Sequence, residues 1–187
     1  MRQADVVLTD DLIELAHHAA DLLRARGETV AVAEGSAGGL ISAALLSVPG
    51  ASAYYVGGAV VYTMAASQAF MSGPIEVPEG MRGASEPFAT YLAESVAARL
   101  GAVWGLSEAG AAGPPNRYGD PAGHAWVAVA GPSNSTHHVL TGSDDRGHNM
   151  VAFAGAALTL LIDTVSNADA DRDASSVRKH LRDRPSR

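Results

Sequence analysis

The sequence predicts an α/β fold, a single three-layer α/β/α domain with a mixed β-sheet. Three observations carry this. Helical and strand-like hydrophobic periods alternate along the chain. With 187 residues, 47% hydrophobic and 18% charged, the chain can bury one full core. Consecutive strand patterns late in the chain favour some antiparallel pairing, which makes the sheet mixed.

The elements follow in order. Asp10 and Asp11 open a segment with Leu12, Ile13, Leu15, Ala16, Ala19, Leu22 and Leu23 at helical spacing, and Gly27 closes it. Thr29 to Ala33 is short, apolar and partly β-branched, as a buried strand is. Gly38-Gly39 starts a helix through Leu40, Ile41, Ala44 and Leu45, which Pro49-Gly50 breaks. Tyr54 to Val56 and Ala59 to Thr63 read as strands around Gly57-Gly58, and a helical piece from Ala65 to Met71 ends at Gly73-Pro74. Ser85-Glu86-Pro87 begins a helix that includes Phe88, Leu92, Val96 and Leu100, with Ser85 as cap. Ala102 to Leu106 reads as a strand, and a Gly/Pro-rich loop runs from Gly110 to Gly123. Strands at Ala125 to Ala130 and Thr136 to Thr141 precede a last helix from about Gly147 to Val165. The domain is expected over residues 1–165, with a polar, disordered tail over 166–187.

Composition removes several classes of function. No cysteine is present, which excludes disulfides, thiolate catalysis and Cys-based zinc sites. The start at Met1 leads into no apolar signal core, and no uninterrupted apolar stretch of about 18 residues occurs. A cytoplasmic protein without membrane association is expected. The formal charge of -7 divides into -9 on the body and +2 on residues 166–187. Such a body repels a phosphate backbone, so nucleic acid is not an expected partner.

The chemistry centres on Glu34-Gly35-Ser36-Ala37-Gly38-Gly39, a turn between a strand and a helix. Unpaired backbone N–H groups at such a turn, with the positive end of a helix dipole behind them, suit a phosphate. The same glycines also serve a tight turn and close packing. It is not a P-loop, because the Gly-Lys-Ser/Thr ending is absent. Glu34 stands where a G-x-S-x-G nucleophile elbow around Ser36 needs its first glycine. The adjacent pairs His17-His18 and His137-His138 lack chelating spacing, and no metal site is expected.

This turn, the stretch Ser47-Val48-Pro49-Gly50-Ala51-Ser52-Ala53-Tyr54-Tyr55, and Gly58-Ala59-Val60-Val61-Tyr62 together resemble the CinA C-terminal domain family. The resemblance spans about Leu12 to Val165 and includes Ala109-Gly110-Ala111-Ala112-Gly113-Pro114 and Gly142-Ser143-Asp144-Asp145-Arg146. Active members of that family are nicotinamide mononucleotide deamidases, which convert the substrate to nicotinic acid mononucleotide and ammonia. The resemblance implies Ser52 as nucleophile, Tyr62 as its assistant, and Arg146 as the partner of the substrate phosphate. It further implies ligand contacts from Glu34, Ser36, Gly38, Gly39, Gly110 and Gly113, no cofactor, and homo-oligomers.

The chain departs from the family pattern at the hydroxyl positions, which here are Gly35, Ala37 and Ala109. The lysine that activates the family's serine falls on Ser67, and the chain's only lysine is Lys179. A serine hydroxyl is not basic enough for that role, and general-base assistance contributes roughly 10²–10⁴-fold. His124 or His148 could stand in for the lysine. Three readings follow: an amidase, a catalytically lapsed nucleotide-binding or protein-interaction member, and a structural domain without a ligand site.

Overall fold

The computed structural model describes residues 8–71, 81–116 and 118–182. The expected helix stop at Gly73-Pro74 and the start at Met1 lie outside them. Thr9 caps the first helix, α1 (Asp10–Arg26), by accepting the Leu12 N–H on Oγ1 at 3.3 Å, and Gly27 ends it at φ 61°. β1 (Val30–Glu34) leads through the Gly-rich turn to α2 (Leu40–Ser47), a single 3₁₀ turn at Ala51–Ala53, and β2 (Tyr55–Val60). The two strands expected around Gly57-Gly58 are thus one, with both glycines inside it. α3 (Met64–Met71) and α4 (Glu86–Leu100) follow. Ser85 takes the cap position of α4, but its hydroxyl donates to the Arg82 carbonyl at 2.7 Å instead of capping.

β3 (Trp104–Ala111) runs five residues beyond the expected end at Leu106, carrying Ser107 and Glu108 into the sheet. β4 (His124–Ala130) and β5 (Ser135–Leu140) complete it. The last helix, α5, spans Arg146–Arg182, where the sequence places an end near Val165 and a disordered tail beyond. Its apolar part, Arg146–Ala168, is long enough to cross a membrane by composition, and half of it is buried inside the domain as a core helix.

The strand order is β2-β1-β3-β4-β5. β2 and β3 both pair parallel to β1, whereas β3–β4 and β4–β5 are antiparallel, so the sheet is mixed as expected. On one face Val30, Val32, Trp104, Leu106 and Val127 pack against α1, α2 and α5; on the other, Ala31, Ala33 and Ala109 pack against α3 and α4. The alternation of Val30-Ala31-Val32-Ala33 between two cores is the period-2 signature of a strand covered on both sides. Gly105 permits the closest helix approach: a Cβ there would stand 1.9 Å from the Ala93 carbonyl of α4.

This topology positions the site. From β1 the chain crosses by α2 to β2 on one side and later by α4 to β3 on the other. The carboxyl ends of β1 and β3 therefore diverge at a topological switch point, where open α/β sheets bind ligands.

Candidate functional site

A cavity of about 200 Å³ opens at that switch point, and Ser36, Tyr62, Gly110, Gly113, Asn116 and Arg146 line it together with the intervening loop residues. Each comes from the carboxyl end of a strand or from the start of α5. A larger open depression, about 490 Å³, lies at the other end of the sheet beside Ala97, Ala98, Gly101 and Gly131, without a nucleophile or a cation.

The Gly-rich turn binds anions, but they are the protein's own. Glu34 and Glu108 sit opposite each other in the parallel register of β1 and β3, and both are completely buried. Glu34 Oε2 accepts the N–H groups of Gly39 at 2.9 Å and Ile41 at 3.1 Å. Its Oε1 accepts the Ser42 N–H at 3.0 Å and the Ser42 hydroxyl at 2.6 Å. Glu108 Oε2 accepts from Gly35 N at 3.1 Å and Ala37 N at 2.7 Å, and its Oε1 accepts the Ser36 hydroxyl at 2.5 Å. The dipole and donors expected to hold a phosphate thus stabilise two internal carboxylates. Glu34, Gly38 and Gly39 belong to this internal cap and do not line the cavity. Burial raises the Glu108 acid to about 7, against the bonds from Ser36 and Ala37 and with the help of the neighbouring Glu34 charge.

Across the cavity, Arg146 opens α5 with its guanidinium over the Tyr62 ring, 5.9 Å from the centroid. It donates to the Gly113 carbonyl at 2.5 Å and to the Tyr62 hydroxyl at 3.1 Å. A cation is disfavoured at a helix N-terminus, and here the carbonyl and the aromatic face compensate. Asn149, one turn further and buried, donates to the carbonyls of Ala112 at 2.7 Å and Ser143 at 2.8 Å. It ties the cavity loop to α5. On the rim Asn116 bonds Asp120 at 2.9 Å, and Asp120 pairs with Arg82 at 2.6 Å. Burial works against the Asp120 carboxylate, but the bonds from Arg82 and Asn116 hold its acid below the usual range.

The structure places Ser36, Tyr62, Gly110, Gly113 and Arg146 around one cavity. It does not bring Ser52 to them. Ser52 sits exposed in the 3₁₀ turn that precedes β2, whereas Tyr62 follows β2, and that strand alone spans roughly 17 Å. Ser67, at the position of the family lysine, is buried in α3, with no hydrogen-bond partner for its hydroxyl among the described residues. The histidines stand apart from the cavity. His124 Nε2 lies 2.9 Å from the Ala84 carbonyl and its Nδ1 2.8 Å from His138 Nε2, while His148 is exposed, and neither lines the cavity. Glu108 and Asn149 are the residues that sequence reasoning missed. An acidic residue inside the small apolar run Leu106 to Ala112 was the available signal for Glu108.

Comparison with known proteins agrees with this architecture. The crystal structure of the competence/damage inducible protein CihA from Agrobacterium tumefaciens superimposes with a TM-score of 0.78 at 26% identity, covering 86% of this chain and 99% of that one. A CinA superfamily protein from Escherichia coli gives 0.75 at 25% identity, over 84% of this chain and 93% of its own. A CinA-like protein of Prochlorococcus marinus is 41% identical over 119 residues, 63% of this chain and 28% of that protein. Another from Salinibacter ruber is 38% identical over 156 residues, 82% of this chain and 37% of its own length. The chain thus spans about a third of the length of the curated relatives it matches. The CinA C-terminal domain profile matches residues 12–165, which cover the sheet, the Gly-rich turn and the whole cavity, and the chain belongs to the CinA C-terminal domain family.

Proposed function

We propose that this protein is a ligand-binding member of its family that holds a nicotinamide nucleotide, or a similar small phosphorylated ring compound, in the cavity around Arg146. It does not deamidate that ligand through Ser52. The observation that carries this reading is the separation of Ser52 from Tyr62 and Arg146 by the full length of β2. Within one chain, a Ser52-led reaction has neither the cavity's cation nor its aromatic hydroxyl. Arg146 is the only charged residue among the described lining residues, and two of its five N–H donors are engaged, so a phosphate has donors to accept from.

A native-state ligand must raise the unfolding temperature. Nicotinamide mononucleotide is expected to do so with wild-type protein, and Arg146→Ala to weaken its affinity roughly 10- to 100-fold, the worth of one or two charge-assisted bonds. Ammonia release, assayed alongside, is expected to be no lower for Ser52→Ala than for wild-type protein. Turnover abolished by Ser52→Ala overturns the reading.

Restoring the family lysine is expected to fail. Ser67 is completely buried, so Ser67→Lys places an ammonium where even a hydroxyl finds no partner. The variant should lose on the order of 3 kcal/mol of stability, read by urea unfolding, and gain no ammonia release.

A further inference from the structure

We propose that Ser36 and Glu108 form a nucleophile–base pair at the floor of the cavity, acting on a small ester or primary carboxamide that carries an anionic group for Arg146. The inference takes its anion site from the reading above but supplies a chemistry that the family's Ser52 position does not.

Geometry comes first. A carboxylate used as base must present one oxygen to the hydroxyl and be fixed by other contacts, as the third member of a triad fixes the second. Glu108 meets both conditions. Its Oε1 takes the Ser36 hydroxyl, while Oε2 is pinned by the N–H groups of the residues on either side, Gly35 and Ala37. When the Ser36 proton moves to Oε1, Oε2 keeps both backbone bonds, so the transfer needs no rearrangement. Ser36 lines the cavity, whereas Glu108 lies completely buried behind it. Of the three donors that hold the carboxylate, the Ser36 hydroxyl is the one whose residue lines the cavity.

Gly110 makes the hydroxyl's place possible. A Cβ at that position would stand 2.9 Å from Ser36 Oγ and 2.5 Å from the Ala125 Cβ, so only glycine leaves the nucleophile its room. The base is also matched to its task. An ordinary carboxylate, with its acid near 4, is a weak base at neutral pH, whereas burial brings Glu108 to about 7, where ionisation and proton affinity are both sufficient.

The reaction balances without a co-reactant other than water. Ser36 Oγ bonds to the acyl carbon as Glu108 Oε1 takes its proton. The bond to the leaving nitrogen or oxygen breaks, and that proton passes from Glu108 to the leaving group. Water then adds to the acyl carbon of the Ser36 ester while Glu108 takes its proton. The Oγ–carbon bond breaks, Ser36 recovers the proton, and the carboxylic acid departs.

A fluorophosphonate probe tests the pair without any substrate, because the same attack displaces fluoride and leaves a stable phosphonyl group on the serine. With the full-length protein, peptide mass spectrometry should find the group on Ser36. The labelling rate should rise with pH through a midpoint near 7. Ser36→Ala should abolish labelling, and Glu108→Gln should slow it by about 100-fold or more and remove the midpoint. Thermal unfolding of each variant checks that it is folded. A label on Ser52 or another serine, no label on folded wild-type protein, or labelling indifferent to Glu108→Gln overturns the proposal. Failure of nicotinamide mononucleotide to bind, with Ser36 labelled, overturns the ligand reading alone.

Discussion

Between about pH 4.5 and pH 8, wild-type protein is expected to lose about 3 kcal/mol of folding stability relative to Glu108→Gln. The cause is the burial of one carboxyl group. Glu108 titrates near 4.5 when the chain is unfolded and near 7 when it is folded. Between those values the folded state holds a proton that the unfolded state has released, so raising the pH favours unfolding. The stabilisation is complete below about 4.5, declines as the pH rises through 7, and is gone above it. Groups common to the two proteins contribute equally and cancel in the difference. The Gln variant is the proper reference because it keeps the architecture. Its amide oxygen accepts from Gly35 and Ala37, and its amide nitrogen donates to Ser36 Oγ, whose hydroxyl rotates to suit. Urea unfolding across this range measures the effect. Parallel stability profiles would mean that Glu108 ionises like an exposed carboxylate and would remove the driving force for its use as a base.

The order of elements and the mixed sheet were legible because each rests on a local pattern: Thr29 to Ala33 as an apolar strand, Gly27 as a helix stop, Gly38-Gly39 as a turn. The partners of Glu108 were not legible. Ser107 and Glu108 interrupt the apolar run that begins at Trp104, so local periodicity ends the strand at Leu106. The parallel register of β1 and β3 explains Glu108, which finds its donors at Gly35, Ser36 and Ala37, more than 70 residues away, whereas Ser107 donates to the Ala89 carbonyl of α4. The Gly-rich turn shows the same limit. Its donors were read as a phosphate site, but Glu34 and Glu108 of the chain itself occupy them.

Ser52 and Tyr62 illustrate the converse. They are ten residues apart, and a break at Gly57-Gly58 would have let the chain fold back and bring them close. Gly57 and Gly58 instead pair with Ala31 and Val32, and one strand, bulged at Val56, runs on between the two residues. A Cβ at 58 would stand 2.7 Å from both the Tyr55 hydroxyl and the Val32 carbonyl, so the glycine serves packing, not a turn. Arg146 came from the family resemblance of Gly142-Ser143-Asp144-Asp145-Arg146, and in the fold it stands at the start of α5 against Tyr62 and the Gly113 carbonyl.

Glu34→Gln is expected to be far more damaging than Glu108→Gln, although the two glutamates are neighbours in the same buried cap. Both oxygens of Glu34 accept from backbone N–H groups: Oε2 from Gly39 and Ile41, and Oε1 from Ser42. A backbone N–H cannot become an acceptor, so a glutamine in either orientation aims its own N–H₂ at one of them. One or two buried donors then lose their partner, each at about 1–3 kcal/mol, and the charge that faced the N-terminus of α2 is lost as well. The expected loss is about 3–5 kcal/mol, a large part of a domain's total stability. Glu108 escapes this because one of its three donors is a hydroxyl, which can reverse its role. Comparing the two variants by urea unfolding at pH 8, above the range in which Glu108 titrates, separates an acceptor-only requirement from a general need for bulk at the turn. Equal losses would mean that the turn needs volume more than it needs its pattern of acceptors. A severe loss for Glu34→Gln alone would identify Glu34 as the fixed support of the turn and leave Glu108, whose hydroxyl partner faces the cavity, as the carboxylate free to exchange a proton.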